Sequence, residues 1–297
     1  MAYIYGHPEI KQIGTEGKGK MFEGKRCLIT GASSGIGYGL AERLLQRGAE
    51  VWLCSRTESR MKAAAETLSA QYGADKVFWR AIDVLDAEAL VKFADDMAAA
   101  GPIDYLFANA GIGSSFRFEK CTRQQFDAVF ATNFYGVFNA DKAVIDHMIG
   151  QGFGHILNVS SIEGVIPSGY HTAYTASKHA VLGMTEDLRY EFEERNIKFS
   201  CILPGPVFSD IWGRAIDGSV HPHGQPADGI TGLESADEIL AGIEDGYNII
   251  LVTDKARRIY NWTKVDPEAA DKQAHTYTER QIAGIRATEE AMKKMGK

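Results

Sequence analysis

Short apolar runs alternate with longer segments of helical period along most of this chain. Seven runs are rich in Val, Ile, Leu and aromatic residues and lack the polar alternation of a half-exposed strand. They are RCLIT (26–30), VWLCS (51–55), VFWRAI (77–82), YLFANA (105–110), HILNVS (155–160), FSCILP (199–204) and NIILVT (248–253). Strands without alternation are buried on both faces, and intervening segments such as GLAERLLQRG carry a helical apolar stripe. The pattern predicts an α/β fold with a doubly wound parallel sheet in a single domain.

Three segments differ from this alternation. Residues 1–23 precede the first strand and are predicted to be an N-terminal extension, which leaves residues 24–262 as the α/β domain. Residues 263–297 carry Ala and Glu at helical density and predict a C-terminal helical extension, on the surface or at a subunit contact. Residues 206–233 contain several Gly and Pro, and loops of this length are usually lids or binding loops. We therefore expect a substrate loop at 206–233.

Composition narrows the class of partner. Apolar residues make up 45% and charged residues 24% of the 297 positions, which is ordinary for a globular protein. A net charge of −7 without clustered Lys and Arg argues against nucleic-acid binding. The sequence shows neither the apolar run of a signal peptide nor a membrane-spanning stretch, so we expect a cytoplasmic protein without membrane contact. No Cys or His clustering predicts a metal site. A small-molecule substrate is the expected partner.

The first strand runs directly into the segment TGASSGIG, residues 30–37. Its glycines allow a tight turn and close approach to a pyrophosphate, while the following helix offers free N–H groups at its N-terminus. Between a strand and a helix this turn is typical of dinucleotide binding in a Rossmann fold, and a purely structural glycine turn is the alternative. The predicted cofactor-binding residues of the turn are Gly31, Ser33, Ser34, Gly35, Ile36 and Gly37.

The ends of the next strands predict the adenosine side of the same site. Ser55 and Arg56 stand where an NAD site often has an acidic residue, and arginine suits a 2′-phosphate, which favours NADP(H). Stacking of Arg56 on the adenine, or solvation, is the alternative. Asp83 is positioned to accept a hydrogen bond from the adenine amine. The predicted contacts after the third and fourth strands are Asp83, Val84, Asn109, Ala110 and Gly111.

The segment YTASK places Tyr174 and Lys178 four residues apart on a predicted helix. Positions i and i+4 share one face of a helix, and a neighbouring cation lowers the pKa of a phenol from its usual value of about 10. Such a phenol suits a general acid or base near neutral pH. A surface Tyr and Lys that share this spacing by chance are the alternative.

The motifs TGASSGIG, ANAG, YTASK and PGPV occur in this order, and residues 24–210 resemble the short-chain dehydrogenase/reductase family. The resemblance implies a catalytic set in which Tyr174 is the general acid/base, Lys178 lowers its pKa and binds the ribose, Ser161 binds the substrate oxygen and Asn133 steadies a relay water. Hydride transfer to a carbonyl needs a proton and an oxyanion partner, and Tyr174 with Ser161 supplies both.

The resemblance also concerns the cofactor and its nicotinamide end. It implies that Tyr174 and Lys178 contact the cofactor, and that the cofactor is NAD(H) or NADP(H). The residues that resemble the nicotinamide-packing segment are Pro204, Gly205, Val207 and Ser209, the last standing where the family more often has threonine.

Three features of the sequence bear on the substrate: the length of the chain, its N-terminal arm and its PGPVFSD loop. They resemble those of bacterial hydroxysteroid dehydrogenases of the 20β type. That resemblance implies NAD(H), against the indication of Arg56. Apolar residues in VFSDIWGRAI (207–216) predict a bulky apolar secondary alcohol or ketone, with a steroid as the leading candidate. The predicted substrate contacts are Glu163, His171, Phe208 and Trp212; packing of Phe208 and Trp212 against the body or a neighbouring subunit is the alternative.

Two other functions remain open from the sequence. A 3-ketoacyl thioester reductase is the alternative within the same reaction class. A non-catalytic dinucleotide-binding redox sensor is the alternative outside it, although the four polar groups of the catalytic set are all present. We expect the protein to form a homodimer or homotetramer.

Overall fold

The computed structural model describes residues 18–209, 211, 226 and 228–294. Within these residues a single sheet contains seven strands, and each of the seven predicted strands is confirmed with ends shifted by two residues or fewer. The strands are β1 Arg26–Thr30, β2 Glu50–Ser55, β3 Val77–Ala81, β4 Tyr105–Ala108, β5 Gly154–Val159, β6 Ile197–Pro204 and β7 Ile249–Val252. The α-helices are α1 Gly35–Gln46, α2 Glu58–Tyr72, α3 Ala87–Ala100, α4 Arg123–Phe130, α5 Gly136–Gln151, α6 Thr172–Glu191, α7 Gly232–Glu244, α8 Asp254–Val265 and α9 Pro267–Lys294.

All neighbouring strands of the sheet pair in parallel, in the order β3-β2-β1-β4-β5-β6-β7. The chain therefore builds outward from β1 on one side and from β4 on the other. In such sheets ligands bind at the carboxyl ends of the strands where the order reverses. The predicted doubly wound single-domain α/β fold is confirmed.

Helices cover both faces of the sheet, which explains the apolar runs without alternation. Side chains such as Leu28 and Ile29 are adjacent in β1 and point to opposite faces, yet both are fully buried. One core cluster joins the sheet to α1, α2 and α7, and a second joins it to α3, α5 and α6. A third, smaller cluster joins α8 and α9 to residues 162–166.

Two glycines hold α7 against α1. A Cβ on Gly39 of α1 would overlap the backbone of Gly232, the first residue of α7, and a Cβ on Gly232 would overlap the carbonyl of Gly35. The helices can approach this closely only because both positions lack a side chain. Since the predicted loop 206–233 ends in the first turn of α7, this contact fixes the end of that segment next to the glycine-rich turn.

The ends of the predicted domain do not coincide with the ends of the packed structure. Residues 1–17 of the predicted N-terminal extension lie outside the described residues, but Phe22 is fully buried. Its ring centroid lies 5.3 Å from that of Tyr105, and the Arg47 guanidinium lies 5.6 Å from the Phe22 centroid. At the other end, the predicted boundary between residues 262 and 263 falls inside α8. In the described part of the chain, the helices are all too short or too polar to cross a membrane.

We predict that Gly39→Ala lowers the free energy of unfolding by about 1–3 kcal/mol, because the added methyl group must displace the backbone of α7. Gly183 is the matched control, since it lies on the exposed face of α6 with no atom within 4 Å of a Cβ. Gly183→Ala should raise the free energy of unfolding by about 0.5–1 kcal/mol. Urea denaturation measures both, and equal effects of the two substitutions would contradict the close contact.

Candidate active site

A cavity of about 1000 Å³ runs along the carboxyl ends of the strands. Residues that follow β1, β2, β3, β4, β5 and β6 all line it, because parallel strands end at the same edge of the sheet. The cavity thus brings together every predicted cofactor-binding residue except Gly37. Of the predicted catalytic and substrate residues, it collects Ser161, Tyr174, Lys178, Glu163 and His171.

The glycine-rich turn is shaped for a close approach of backbone to ligand. Gly31 has a φ of +67°, and a Cβ there would lie 2.8 Å from the Cα of Ala110. Gly37 lies behind the turn, where a Cβ would lie 2.7 Å from the Asn109 amide nitrogen, so its place is structural packing. Ser34 precedes α1, and within the described structure its side chain makes no capping hydrogen bond to the helix. The first N–H groups of α1 therefore suit a phosphate.

Another part of the cavity is lined by residues that follow β2 and β3. Ser55 is buried, and its hydroxyl has no hydrogen-bond partner among the described residues. Arg56 is exposed and lines the cavity, together with Arg60 from the first turn of α2. Sequence reasoning missed Arg60, although its place four residues after Arg56 was visible in CSRTESR. Asp83 lines the same end and accepts a hydrogen bond from the Leu85 amide at 3.0 Å.

The catalytic pair lies at the start of α6. Tyr174 stands in the first turn, and Ser161, which follows β5, lies close enough to the phenol to lower its pKa. Lys178 is buried, and its Nζ donates to the Val159 carbonyl at 2.9 Å and lies 5.7 Å from the Tyr174 ring centroid. The fold therefore brings the three predicted side chains to one place from β5 and α6.

The surroundings of Tyr174 raise the pKa of its phenol, whereas Lys178 was expected to lower it. Burial raises the pKa of Tyr174, the Glu163 carboxylate raises it further, and the Ser161 hydrogen bond lowers it in part. Burial also lowers the pKa of Lys178 to about 8. The predicted lowering of the Tyr174 pKa by Lys178 stays a prediction; in this structure the Lys178 ammonium donates to the Val159 carbonyl. Tyr174 is accordingly protonated at neutral pH and is a proton donor.

Asn133 lies in a single π-helical turn, Ala131–Tyr135, between α4 and α5. It is fully buried; its Oδ1 accepts from the Ile112 amide at 2.8 Å, and its Nδ2 donates to the Ile112 carbonyl at 3.0 Å and to Ser177 Oγ at 3.2 Å. Such turns often mark functional positions in helices. Here the side chain fixes the segment that lines the cavity and does not line the cavity itself. Its predicted contact with a relay water stays a prediction.

Glu163 is a buried carboxylate beside the catalytic pair. Its backbone N–H donates to Ser161 Oγ at 3.1 Å, and its oxygens accept from His171 Nδ1 and Thr175 Oγ1, each at 3.1 Å. Burial raises the pKa of Glu163, but the His171 ring and hydrogen bonds from His171, Ser168 and Thr175 bring the net pKa below its usual range. Glu163 is therefore a fixed negative charge next to the phenol.

The predicted substrate loop is described only in part. Trp212 lies outside the described residues. Phe208 does not line the cavity; its N–H donates to the Ile230 carbonyl at 2.8 Å and its ring lies against Gly229. The Phe208 side chain is 38% exposed. Ile211 from the same segment does line the cavity.

The C-terminal helix α9 lines the cavity, which the sequence did not predict. Tyr277, Arg280 and Gln281 face it from α9, and Lys255 faces it from α8. The sequence predicted a surface or subunit-contact helix, because an amphipathic pattern shows which face is buried but not what it packs against. The third core cluster, which includes Tyr277, fixes α9 over the segment that follows Ser161.

The residues of the cavity fit a nicotinamide dinucleotide. Gly31 leaves room for the pyrophosphate, the α1 N-terminus supplies amide donors, and the buried Ser55 hydroxyl faces the same cavity.

Comparison with known proteins agrees with this site. Residues 25–218 match the protein family described as short chain dehydrogenase. A 3-oxoacyl-(acyl-carrier-protein) reductase FabG of Chlamydia muridarum is 34% identical over 191 residues, which are 63% of this chain and 75% of that protein. A D-threitol dehydrogenase of Mycolicibacterium smegmatis is 34% identical over 197 residues, which are 66% of this chain and 75% of that protein.

Solved structures of short chain dehydrogenases with a bound dinucleotide are also similar to this chain. A short chain dehydrogenase of Burkholderia cenocepacia in complex with NADP has a TM-score of 0.72 and 25% identity, covering 85% of this chain and 98% of that one. A Burkholderia phymatum short chain dehydrogenase/reductase in complex with NAD has a TM-score of 0.73 and 25% identity, covering 85% of this chain and 96% of that one. The chain belongs to the short-chain dehydrogenase/reductase family. It is an oxidoreductase that uses NAD(H) or NADP(H).

We predict that Glu163→Gln shifts the pH profile of alcohol oxidation to lower pH. Oxidation requires Tyr174 to accept a proton, and removing the carboxylate removes an interaction that raises the pKa of the phenol. The measurement is kcat/KM against pH with a secondary alcohol. Glu163→Asp is the control because it keeps the charge, and it should lie closer to the wild-type profile. An unchanged or upward-shifted profile for Glu163→Gln would show that the carboxylate does not act on Tyr174.

Proposed function

We propose that this protein transfers a hydride between a nicotinamide dinucleotide and a bulky, largely apolar secondary alcohol or ketone. The observation that carries the proposal is the placement of Ser161, Tyr174 and Lys178 together at the wall of a largely apolar cavity that continues past the dinucleotide site to α9. A small polar substrate would leave much of that surface in contact with water.

The side chains divide the work of the reaction. The bound dinucleotide supplies the hydride that reduces a ketone, or accepts one from an alcohol. Tyr174 delivers the proton that the carbonyl oxygen gains on reduction, and Ser161 holds that oxygen while charge develops on it. In oxidation Tyr174 takes the hydroxyl proton back.

The substrate side of the cavity supports an apolar skeleton, and a steroid is the leading candidate. Apolar residues line it after β4, after β5 and in the segment that follows β6, among them Ile112, Ile162, Pro206, Ile211 and Pro226. Buried apolar area contributes about 25 cal/mol per Å², so a rigid multi-ring ligand gains most from such a wall. The resemblance to hydroxysteroid dehydrogenases points to the same substrate class.

A 3-ketoacyl thioester reductase is the second candidate. The observation in its favour is the similarity to FabG proteins of Chlamydia muridarum and Thermotoga maritima, which are 34% and 35% identical to this chain in the matched segments. Acyl thioesters therefore belong in the same substrate panel as steroid ketones. A non-catalytic sensor has less support, because it has no need of the ordered Ser161, Tyr174 and Lys178 group.

We propose NADP(H) as the preferred cofactor. Arg56 and Arg60 both line the cavity beyond β2, and Thr57, which precedes α2, makes no side-chain capping bond within the described structure. Two guanidinium groups and a helix N-terminus suit a 2′-phosphate. The resemblance to hydroxysteroid dehydrogenases implies NAD(H) instead. The KM values for NADPH and NADH in wild type and in Arg56→Ala distinguish these two cofactor preferences.

The homodimer or homotetramer and the cytoplasmic location stay proposals. The exposed aromatic side chains of Tyr135 and Phe138, at the start of α5, support a subunit contact on this helix.

We predict turnover of a steroid ketone with wild-type protein, followed by the absorbance of the reduced nicotinamide with NADH and NADPH in parallel. Tyr174→Phe should lower kcat about 10²–10⁴-fold and leave dinucleotide affinity nearly unchanged, because only the phenolic proton donor is lost. Turnover of acyl thioesters but not of steroids would favour the second candidate. Dinucleotide binding without turnover of any carbonyl would favour the sensor.

We predict that Arg56→Ala raises the KM for NADPH about tenfold or more and changes the KM for NADH little, since a charged hydrogen bond contributes about 1.5–3 kcal/mol. Steady-state kinetics with both cofactors measure this. Lys62→Ala removes a positive charge from α2 at a residue that does not line the cavity, and it is the matched control. A similar rise for both cofactors would instead assign Arg56 to adenine stacking or packing.

A further inference from the structure

The C-terminal helices close one end of the cavity with polar side chains. Lys255 Nζ lies 2.7 Å from Asp228 Oδ2 and 5.1 Å from the ring centroid of Tyr277. Arg280 is close enough to Asp228 and Tyr277 to act on both electrostatically. We propose that these four residues, the distal cluster, bind a hydrogen-bond acceptor group, a carbonyl or a carboxylate, on the part of the substrate remote from the reacting carbon. The inference rests on the proposed function, because it concerns the same substrate.

The strand order places the distal cluster on the far side of the catalytic group from the dinucleotide site. Ser161 follows β5, and α8, which carries Lys255, follows β7, two positions further along the sheet. Neighbouring strands are about 4.8 Å apart, so the two sites are separated by roughly 10 Å along the sheet edge. Most residues predicted to bind the dinucleotide follow β4, β1, β2 and β3 in the other direction, and only the segment predicted to pack on the nicotinamide follows β6. A substrate held by Tyr174 therefore extends across β6 towards Lys255.

The helices α8 and α9, which carry three of the four residues of the distal cluster, pack against the segment that follows Ser161. Ala256, Ile259 and Tyr260 of α8 pack in one apolar cluster with Ile162 and Ile166, which follow Ser161 closely. Thr278 of α9 lies against Gly169, since a Cβ on Gly169 would come 2.6 Å from the hydroxyl oxygen of Thr278. Binding residues fixed to the same segment as Ser161 define a constant distance between reacting carbon and remote group.

The chemistry of the cluster favours an acceptor. The Lys255 ammonium, the Arg280 guanidinium and the Tyr277 hydroxyl are donors, whereas the one carboxylate among the four, Asp228, already accepts from Lys255. Burial raises the pKa of Tyr277, and the carboxylates of Glu163 and Asp228 raise it further, so its hydroxyl keeps its proton at neutral pH. Within the distal cluster two cations stand against one anion, so the cluster itself carries a net positive charge.

The test uses three ketones of equal length that differ only at the remote end: 10-oxoundecanoate, its methyl ester, and 2-undecanone. The variants are Lys255→Met, Tyr277→Phe and Asp228→Asn, with Lys264→Met as a control that removes a cation from α8 at a residue that does not line the cavity. The readout is the ratio of kcat/KM for each acceptor-ended ketone to that for 2-undecanone within the same variant. A purely structural defect lowers all three values and leaves the ratio unchanged.

We expect wild-type protein to prefer the acceptor-ended ketones. Lys255→Met should lower the ratio for 10-oxoundecanoate about tenfold or more, since a charged hydrogen bond is lost. Tyr277→Phe should lower the ratio for the methyl ester as well. Asp228→Asn should raise the ratio for 10-oxoundecanoate because it removes the competing carboxylate, and Lys264→Met should change neither ratio. A preference for the acid alone identifies a carboxylate, and a similar preference for the ester identifies a carbonyl.

Equal ratios in wild type, Lys255→Met and Asp228→Asn would overturn the inference while leaving the proposed function intact. Asp228 is more than half exposed, so Asp228→Asn keeps the test decisive where Lys255→Met fails to fold. No turnover of any of the three ketones by protein that reduces a steroid ketone would overturn the inference alone. No turnover of these ketones or of a steroid ketone by protein that binds NADPH would overturn the proposed function and the inference with it.

Discussion

Parallel strands can be joined only by crossovers, since each connection must return the chain to the starting edge of the sheet. In this protein all neighbouring pairs in the described sheet are parallel, so every strand ends at the same edge. The glycine-rich turn, Ser161 and the segment after Pro204 are far apart in sequence, yet the sheet places them along one cavity. The hydrophobic core therefore does more than stabilise the fold, because covering both faces with helices leaves this edge as the natural place for a ligand.

The catalytic centre shows how burial competes with charge. A cation four residues away on a helix favours the phenolate of a tyrosine, but only if its charge reaches the phenol oxygen. In this structure the ammonium of Lys178 donates to the Val159 carbonyl. The carboxylate of Glu163 raises the pKa of the Tyr174 phenol. Desolvation is the largest influence on both Tyr174 and Lys178, and it favours the neutral form of each. The site thus keeps the phenol protonated and ready to donate.

The fold and the dinucleotide turn were predictable because each depends on local pattern. Continuous apolar runs mark buried strands, and a glycine turn between strand and helix has few other uses. The π-helical turn around Asn133 and the exposed side chain of Phe208 were not predictable. Both residues make specific long-range bonds, to Ile112 and to Ile230 respectively, which leave no periodic trace in the sequence. Arg60 was visible but became significant only when α2 was placed beside the cavity.

The sequence predicted that the C-terminal segment is helical but not that this helix lines the cavity. The position of the helix bears on which substrates the cavity can hold. The matched family segment ends at residue 218, so α8 and α9 lie beyond the part that this chain shares with the family pattern. The family segment contains the proton donor and the dinucleotide turn, which any substrate of this reaction needs. The helices that follow line the side of the cavity where the rest of the substrate must lie. Because Ile162 packs against α8, changes in these helices also reach the segment that carries Ser161. Among the described residues, one small apolar cluster therefore joins the C-terminal helices to the segment that carries Ser161.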